Sequence, residues 1–132
     1  MRGMKIRIKG SSIRLRLAKS ELSLLMRGSP VEERTSFPGG ARFVYRLVAD
    51  GAKGGIGASF SDGTLVVSAP FSEVERWANS DAVSLHADID AGAELLSILI
   101  EKDFPCLVPR EGEDPADRFA RPPGEENKSG VC

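Results

Sequence analysis

The chain reads as an α+β domain in which antiparallel hairpins form a curved sheet or half-open barrel with two short helices packed on it. Three observations carry that reading. Met4 to Leu17 alternates apolar and cationic residues on either side of Gly10-Ser11-Ser12, the two-residue repeat of a half-buried strand. Asp62-Gly63 interrupts a second alternating stretch, and this dipeptide is a strong hairpin signal. Two segments, Ala18 to Arg27 and Pro70 to Asn79, switch to helical spacing.

Taken in order, Gly10-Ser11 suits a type II′ turn, since glycine accepts the positive φ of its first central position. That turn pairs Lys9 with Ser12, Ile8 with Ile13, Arg7 with Arg14, Ile6 with Leu15 and Lys5 with Arg16. Every apolar residue then opposes an apolar one, and a one-residue slip would turn the wrong face inward. The same register sets Arg7 against Arg14 and Lys5 against Arg16, and directly opposed like charges destabilise a ladder. An anionic counterpart is expected beside that face, from the protein's own carboxylates, from solvent or from a ligand.

The first helix places Leu22, Leu25 and Met26 on one stripe and ends at Gly28 in the C′ position. Ala18 has no capping side chain, so Ser20 is the expected cap. After Pro30 the strand Val31–Phe37 leads through Pro38-Gly39-Gly40 into Ala41–Ala49. A three-residue loop there sets Phe37 opposite Ala41, Thr35 opposite Phe43, Val31 opposite Leu47 and Glu32 opposite Arg46, a favourable charge pair. The glycine-rich stretch Asp50–Gly55 has the composition of a phosphate loop but not its spacing, and reads as a flexible connection. Ile56–Ser61 and Thr64–Ala69 flank Asp62-Gly63, with Ile56, Ala58, Phe60, Leu65 and Val67 on one face.

In the second helix Pro70 suits the first turn, Ser72 and Glu75 fit a capping box, and Phe71, Val74, Trp77 and Ala78 form the apolar stripe. Ala82–Asp90 alternates with Val83, Leu85, Ala87 and Ile89 inward. Leu95–Ile100 is apolar at nearly every position, as in a central strand, with Glu94 and Glu101 as charged gatekeepers. No internal sequence repeat stands out. Residues 1–104 are therefore expected to form one domain. Residues 105–132 hold five of the eight prolines among charges and read as an extended or disordered tail.

Composition bounds the function. The 132 residues carry a net charge of −1, yet residues 1–19 hold seven cations and no acid. No global field draws nucleic acid or acidic membranes, and aromatic residues make up only 6%, so no platform for stacking bases appears. There is no apolar signal region and no membrane-length run. Two cysteines make no disulfide framework, so a cytoplasmic location is expected.

Chemistry-bearing motifs are sparse. His86 lies beside Ser84 and Asp88, but residues i and i+2 on a strand stand side by side and form no relay. Neither Cys106, Cys132 nor the acidic run Glu111–Asp117 has the spacing of a zinc or calcium site, and no cofactor or metal is expected. Cys106, near Lys102 and Arg110, is either a reactive thiol or a packed one. What remains is the basic face.

Lys5-Ile6-Arg7-Ile8-Lys9, Arg14-Leu15-Arg16-Leu17, Trp77-Ala78-Asn79-Ser80, and Leu96 to Phe104 running into Cys106-Leu107 and Pro109-Arg110 together resemble a small family of uncharacterised bacterial proteins. That resemblance covers the chain to about Asp117 and implies no activity. The first helix of such proteins tends to begin with a capping Thr, where Ala18 stands here. Arg7, Arg14, Arg16, Glu32, Arg34, Arg42 and Arg46 are also similar in kind to the Arg, Lys and Glu lining of triphosphate-tunnel enzymes. Those begin with an E-x-E-x-K metal-binding strand, where this chain has Lys-Ile-Arg-Ile-Lys.

The leading expectation is a non-enzymatic binding or interaction domain. Lys5, Arg7, Lys9, Arg14, Arg16 and Arg46 would engage an anionic small molecule or an acidic protein segment. One alternative is a tunnel-like phosphohydrolase using Glu32, Asp88 or Glu101 around a divalent ion. Another is a structural domain that dimerises through Leu95–Ile100 or an uncovered edge strand.

Overall fold

A computed structural model describes residues 3–50 and 54–103 of the chain. The proposed tail, Cys106 and Cys132 lie outside those residues. Eight strands and two helices follow one another as β1 (Lys5–Lys9), β2 (Ser12–Leu17), α1 (Lys19–Met26), β3 (Val31–Ser36), β4 (Arg42–Asp50), β5 (Gly57–Ser61), β6 (Thr64–Pro70), α2 (Phe71–Ala78), β7 (Ser84–Asp90) and β8 (Leu95–Lys102).

The strands form two open four-stranded sheets, β1-β2-β8-β7 and β3-β4-β6-β5. The α+β class holds, but the sheets are mixed. All four hairpins are antiparallel, while the central pairs β2/β8 and β4/β6 are parallel. Alternation marks which residues share a face; it is silent about a partner that arrives from the far end of the chain.

The hairpin registers match the turn chemistry. Lys9 pairs with Ser12 and Arg7 with Arg14, around a Gly10 at φ 54°. Glu32 pairs with Arg46 and Thr35 with Phe43, and the Phe37 N–H donates to the Ala41 carbonyl at 2.8 Å across a 3-10 turn over Pro38–Gly40. Asp62 and Gly63 both have positive φ, 50° and 73°, as a type I′ turn requires.

The helix starts differ from expectation. Ala18 is itself the N-cap of α1, and its N–H donates to Glu21 Oε1 at 2.9 Å. The third-position carboxylate thus serves an end that Ala18 cannot cap. At α2, Pro70 closes β6 and is the N-cap, which puts Ser72 inside the helix and leaves the Ser72/Glu75 capping box unformed. Pro70 has no N–H of its own, which leaves three rather than four N-terminal donors without an intrahelical partner.

Element order exposes a duplication that residue identity conceals. Hairpin, helix and hairpin (β1-β2-α1-β3-β4) are repeated as β5-β6-α2-β7-β8. The second strand of each half pairs in parallel with the last strand of the other. Ile13, Leu15, Leu17, Leu22 and Leu25 in the first half correspond to Leu65, Val67, Ala69, Val74 and Trp77 in the second, and all ten are buried. Outward positions have diverged, Arg14 and Arg16 facing away where Val66 and Ser68 stand in the second half. Burial holds the chemical class constant, and solvent does not.

The inner faces of both sheets and both helices share one core, which also includes Met4, Val31, Leu47, Ile98 and Ile100. The helices continue from the C-terminal ends of β2 and β6 and pack against each other. Tyr45 of β4 ties the sheets together, its hydroxyl donating to the Met4 carbonyl at 2.7 Å.

Two turn glycines separate conformational freedom from close approach. Both have positive φ, but a Cβ on Gly10 would meet nothing within 4 Å, whereas one on Gly63 would lie 2.6 Å from the Arg42 carbonyl oxygen. That backbone is fixed by the Val44 N–H bonded to the Gly63 carbonyl at 2.8 Å. Gly10→Ala is expected to cost about 1 kcal/mol from strained φ alone, and Gly63→Ala at least about 2 kcal/mol more, as for overpacking. Urea unfolding of the two variants measures the difference.

Candidate functional site

Strand alternation places Lys5, Arg7 and Lys9 of β1 on the same outward face as Ser12, Arg14 and Arg16 of β2. The parallel partner β8 adds Ser97, Leu99 and Glu101 to that face. Strand β7 completes it with Ser84, His86 and Asp88. Three four-residue rows result, of which Lys5–Arg16–Glu101–Ser84 and Arg7–Arg14–Leu99–His86 hold most of the charge.

Part of the crowding expected from the hairpin is relieved from within. Glu101 Oε1 accepts from Arg16 Nε at 3.2 Å and forms an ion pair with Arg14, whose Nε lies 3.3 Å away. Asp103 Oδ2 lies 3.4 Å from Lys5 Nζ. Glu101 was legible as a gatekeeper and as one candidate metal ligand, but not as a partner of Arg16, because that place depends on the parallel β2/β8 pairing. Arg7 and Lys9, both exposed, have no carboxylate partner among the described residues.

Arg46 does not join this face. It stands on the outer face of the other sheet, where its Nη2 and Nε lie 2.6 Å and 2.7 Å from Glu32 Oε1. Arg34 Nη2 donates to the other oxygen at 2.9 Å. Hydrogen bonds from Arg34 first and Arg46 second hold the Glu32 carboxyl below its usual range. The arginines of the two sheets thus point away from each other. The space between the sheets is apolar, so the lining expected from the tunnel-enzyme resemblance is not formed.

His86 Nε2 lies 3.2 Å from Asp88 Oδ1 and also 3.2 Å from Ser97 Oγ. The serine beside it is the cross-strand Ser97 rather than Ser84. Both contacts use the same ring nitrogen, whereas a relay needs one partner on each, and the histidine and aspartate side chains are half exposed. No group of three or more His, Cys, Asp or Glu side chains suited to a metal occurs among the described residues. Strand β8 lies between β2 and β7, and its residues Ser97 to Ile100 are paired on both sides. No helix among the described residues is long and apolar enough to cross a membrane.

A second feature, which sequence reading missed, is a cavity of about 330 Å³ between the sheets. Ile8, Ile13, Phe43, Ala58, Ser59, Phe60, Leu65 and Leu96 line it. These residues come from the strand ends remote from the helices, and Ile8 and Phe60 remain 56% and 64% exposed.

Tyr45 supplies a pH-dependent tie. Burial first, then the charges of Glu33 and Glu21, raise its hydroxyl above the usual tyrosine range. A folded value above the unfolded one, about 10, gives stability that is complete below pH ~10 and lost as pH rises through the folded value. Wild type is therefore expected to lose stability above pH ~10 more steeply than Tyr45→Phe. At neutral pH that variant should lie about 1 kcal/mol lower for the missing hydrogen bond. Denaturant titrations from pH 8 to 11 give both quantities.

No curated protein and no solved structure matches the chain. A family model described as a family of unknown function, DUF7009, matches residues 4–123, in keeping with the resemblance carried by the strings around Arg14, Trp77 and Leu96, and the chain belongs to that family.

Proposed function

We infer that the protein is a non-catalytic binding module whose outer β1–β2 face engages an anionic group. The observation that carries this reading is the Arg7/Arg14 pair. The two are directly opposed across the ladder, and Arg14 is drawn toward Glu101, while Arg7 and the neighbouring Lys9 have no acidic partner among the described residues.

Arg7 and Lys9 project from one face of an edge strand, roughly 7 Å apart for a two-residue step. An arginine presents a planar fork to phosphate or carboxylate and a lysine a point charge. A ligand with several anionic groups spaced along an extended backbone matches that arrangement. Because β1 is an edge among the described residues, an acidic peptide could add its own backbone pairing, with carboxylates at alternate positions. Lysines on an edge also discourage strand-to-strand aggregation, but that role does not call for an arginine opposed to another arginine.

The test is a thermal-shift series at constant ionic strength, so that general screening is held fixed. Tripolyphosphate and citrate form one arm and a peptide of alternating Glu and Val the other. Saturable stabilisation in either arm, lost in an Arg7→Ala, Lys9→Ala double variant, is the expected result. Equal behaviour of wild type and double variant in both arms would remove the reading.

A further inference from the structure

The lining of the cavity follows the internal duplication. Strand β1 corresponds to β5, β2 to β6 and β4 to β8, and under that correspondence Ile8 matches Phe60, Ile13 matches Leu65, and Phe43 matches Leu96. Six of the eight lining residues are thus three equivalent pairs. The cavity sits on the pseudo-two-fold relation between the halves, where neither half has a helix of its own to cover it.

The pairs are equivalent in position and unlike in chemistry. The β1-β2-β8 side contributes Ile8, Ile13 and Leu96, an aliphatic wall. The β4-β6-β5 side contributes Phe43 and Phe60, whose ring centroids lie 6.2 Å apart at 46°, with Leu65 between their strands. The result is a slot with branched aliphatic groups on one side and aromatic rings on the other.

We propose that this slot binds a planar aromatic molecule of about two fused rings. Size supports the assignment. Apolar cavities of roughly 150 Å³ take up benzene, and this one is about 330 Å³. Shape supports it too, because aromatic rings favour offset or edge-to-face neighbours at centroid separations of about 4.5–7 Å. A second copy of the chain is a poor occupant. Eight residues line the site, against roughly 20–30 a side in a standard protein interface. The proposal shares no residue with the basic face, so the two can fail separately.

The experiment titrates the full chain, with methyl groups observed by NMR, using naphthalene and, as a non-planar probe of similar bulk, 1-octanol. Saturable shifts of the Ile8, Ile13, Leu65 and Leu96 methyls with naphthalene are expected, at lower concentration than with 1-octanol. Phe60→Ala, on an edge strand and exposed, should weaken naphthalene binding about 3- to 10-fold. Phe60→Leu, which keeps apolar bulk, should abolish the preference over 1-octanol, and Leu24→Ala on α1 should change neither. No saturation with naphthalene, or binding of 1-octanol as tight or tighter, overturns the proposal. Shifts of these methyls with protein concentration alone would assign the slot to a second copy. Broadening of the Ile8 methyl by nitroxide labels on Cys106 and Cys132, the chain's two cysteines, would assign it to the chain's own C-terminal segment.

Discussion

Replacing Trp77 with alanine is expected to cost about 3–5 kcal/mol of folding stability, a large fraction of the roughly 5–15 kcal/mol that a domain commonly has. Trp77 is 1% exposed and heads the fully buried side chains by volume. It lies in α2, which packs against α1, and Lys102 Nζ stands 5.9 Å from the centre of its ring. Truncation would open a cavity beneath both helices and strip that contact from a lysine already held below its usual range by burial. Its Nε1, however, has no hydrogen-bond partner among the described residues. An orphaned buried donor costs about 1–3 kcal/mol, so Trp77→Phe keeps much of the burial, removes the orphan and should lose less than about 1.5 kcal/mol. Leu25→Ala, at the equivalent position in α1, should fall between, at about 2–4 kcal/mol. Urea midpoints at unchanged slope provide the comparison. Trp77→Ala within 1 kcal/mol of wild type would show that the helix-covered end of the core is not where stability is concentrated.

What the sequence revealed and what it hid divide along chain distance. The registers of the first two hairpins were legible, because turn geometry and two-residue alternation act within about fifteen residues: Gly10 fixed Arg7 against Arg14, and Pro38-Gly39-Gly40 fixed Glu32 against Arg46. Helix extents were legible from Leu22, Leu25, Val74 and Trp77, while their caps were misread at Ser20 and Ser72, where Ala18 and Pro70 hold the boundary. The parallel pairs were not legible. Nothing local to Arg16 announces that Glu101 will stand beside it, or that Leu47 will meet Val67. The basic hairpin face and its need for an anionic counterpart were therefore anticipated, but not that Glu101 supplies part of it or that Arg46 stands on the other sheet. The inter-sheet slot went unseen for the same reason: Ile8, Phe43, Phe60 and Leu96 each look like ordinary strand residues until four strands from two sheets converge.

Cutting the chain between β4 and β5 is expected to leave two fragments that do not fold separately and that fold when mixed. Each fragment holds two hairpins and a helix, but both parallel central pairs, β2 with β8 and β4 with β6, cross the cut. Alone, the first fragment would keep only two-stranded ribbons, which are marginal in water. Leu15 would lose Ile100 across the ladder, and Leu47 would lose Val67. Those four residues are each no more than 1% exposed in the intact chain, and fully burying one such side chain is worth roughly 1.5–3 kcal/mol. Neither half can recover that loss internally, since its own second and last strands lie in different sheets. The second fragment carries the chain's single tryptophan, which makes the test direct. Trp77 emission from residues 54–132 alone should resemble that of an exposed indole, and adding residues 1–53 should restore the buried spectrum with a midpoint that rises with fragment concentration. Cooperative unfolding of either fragment by itself would contradict this. It would mean that the duplicated unit is a domain in its own right, joined to its twin, rather than half of one fold whose central ladders exist only between the two.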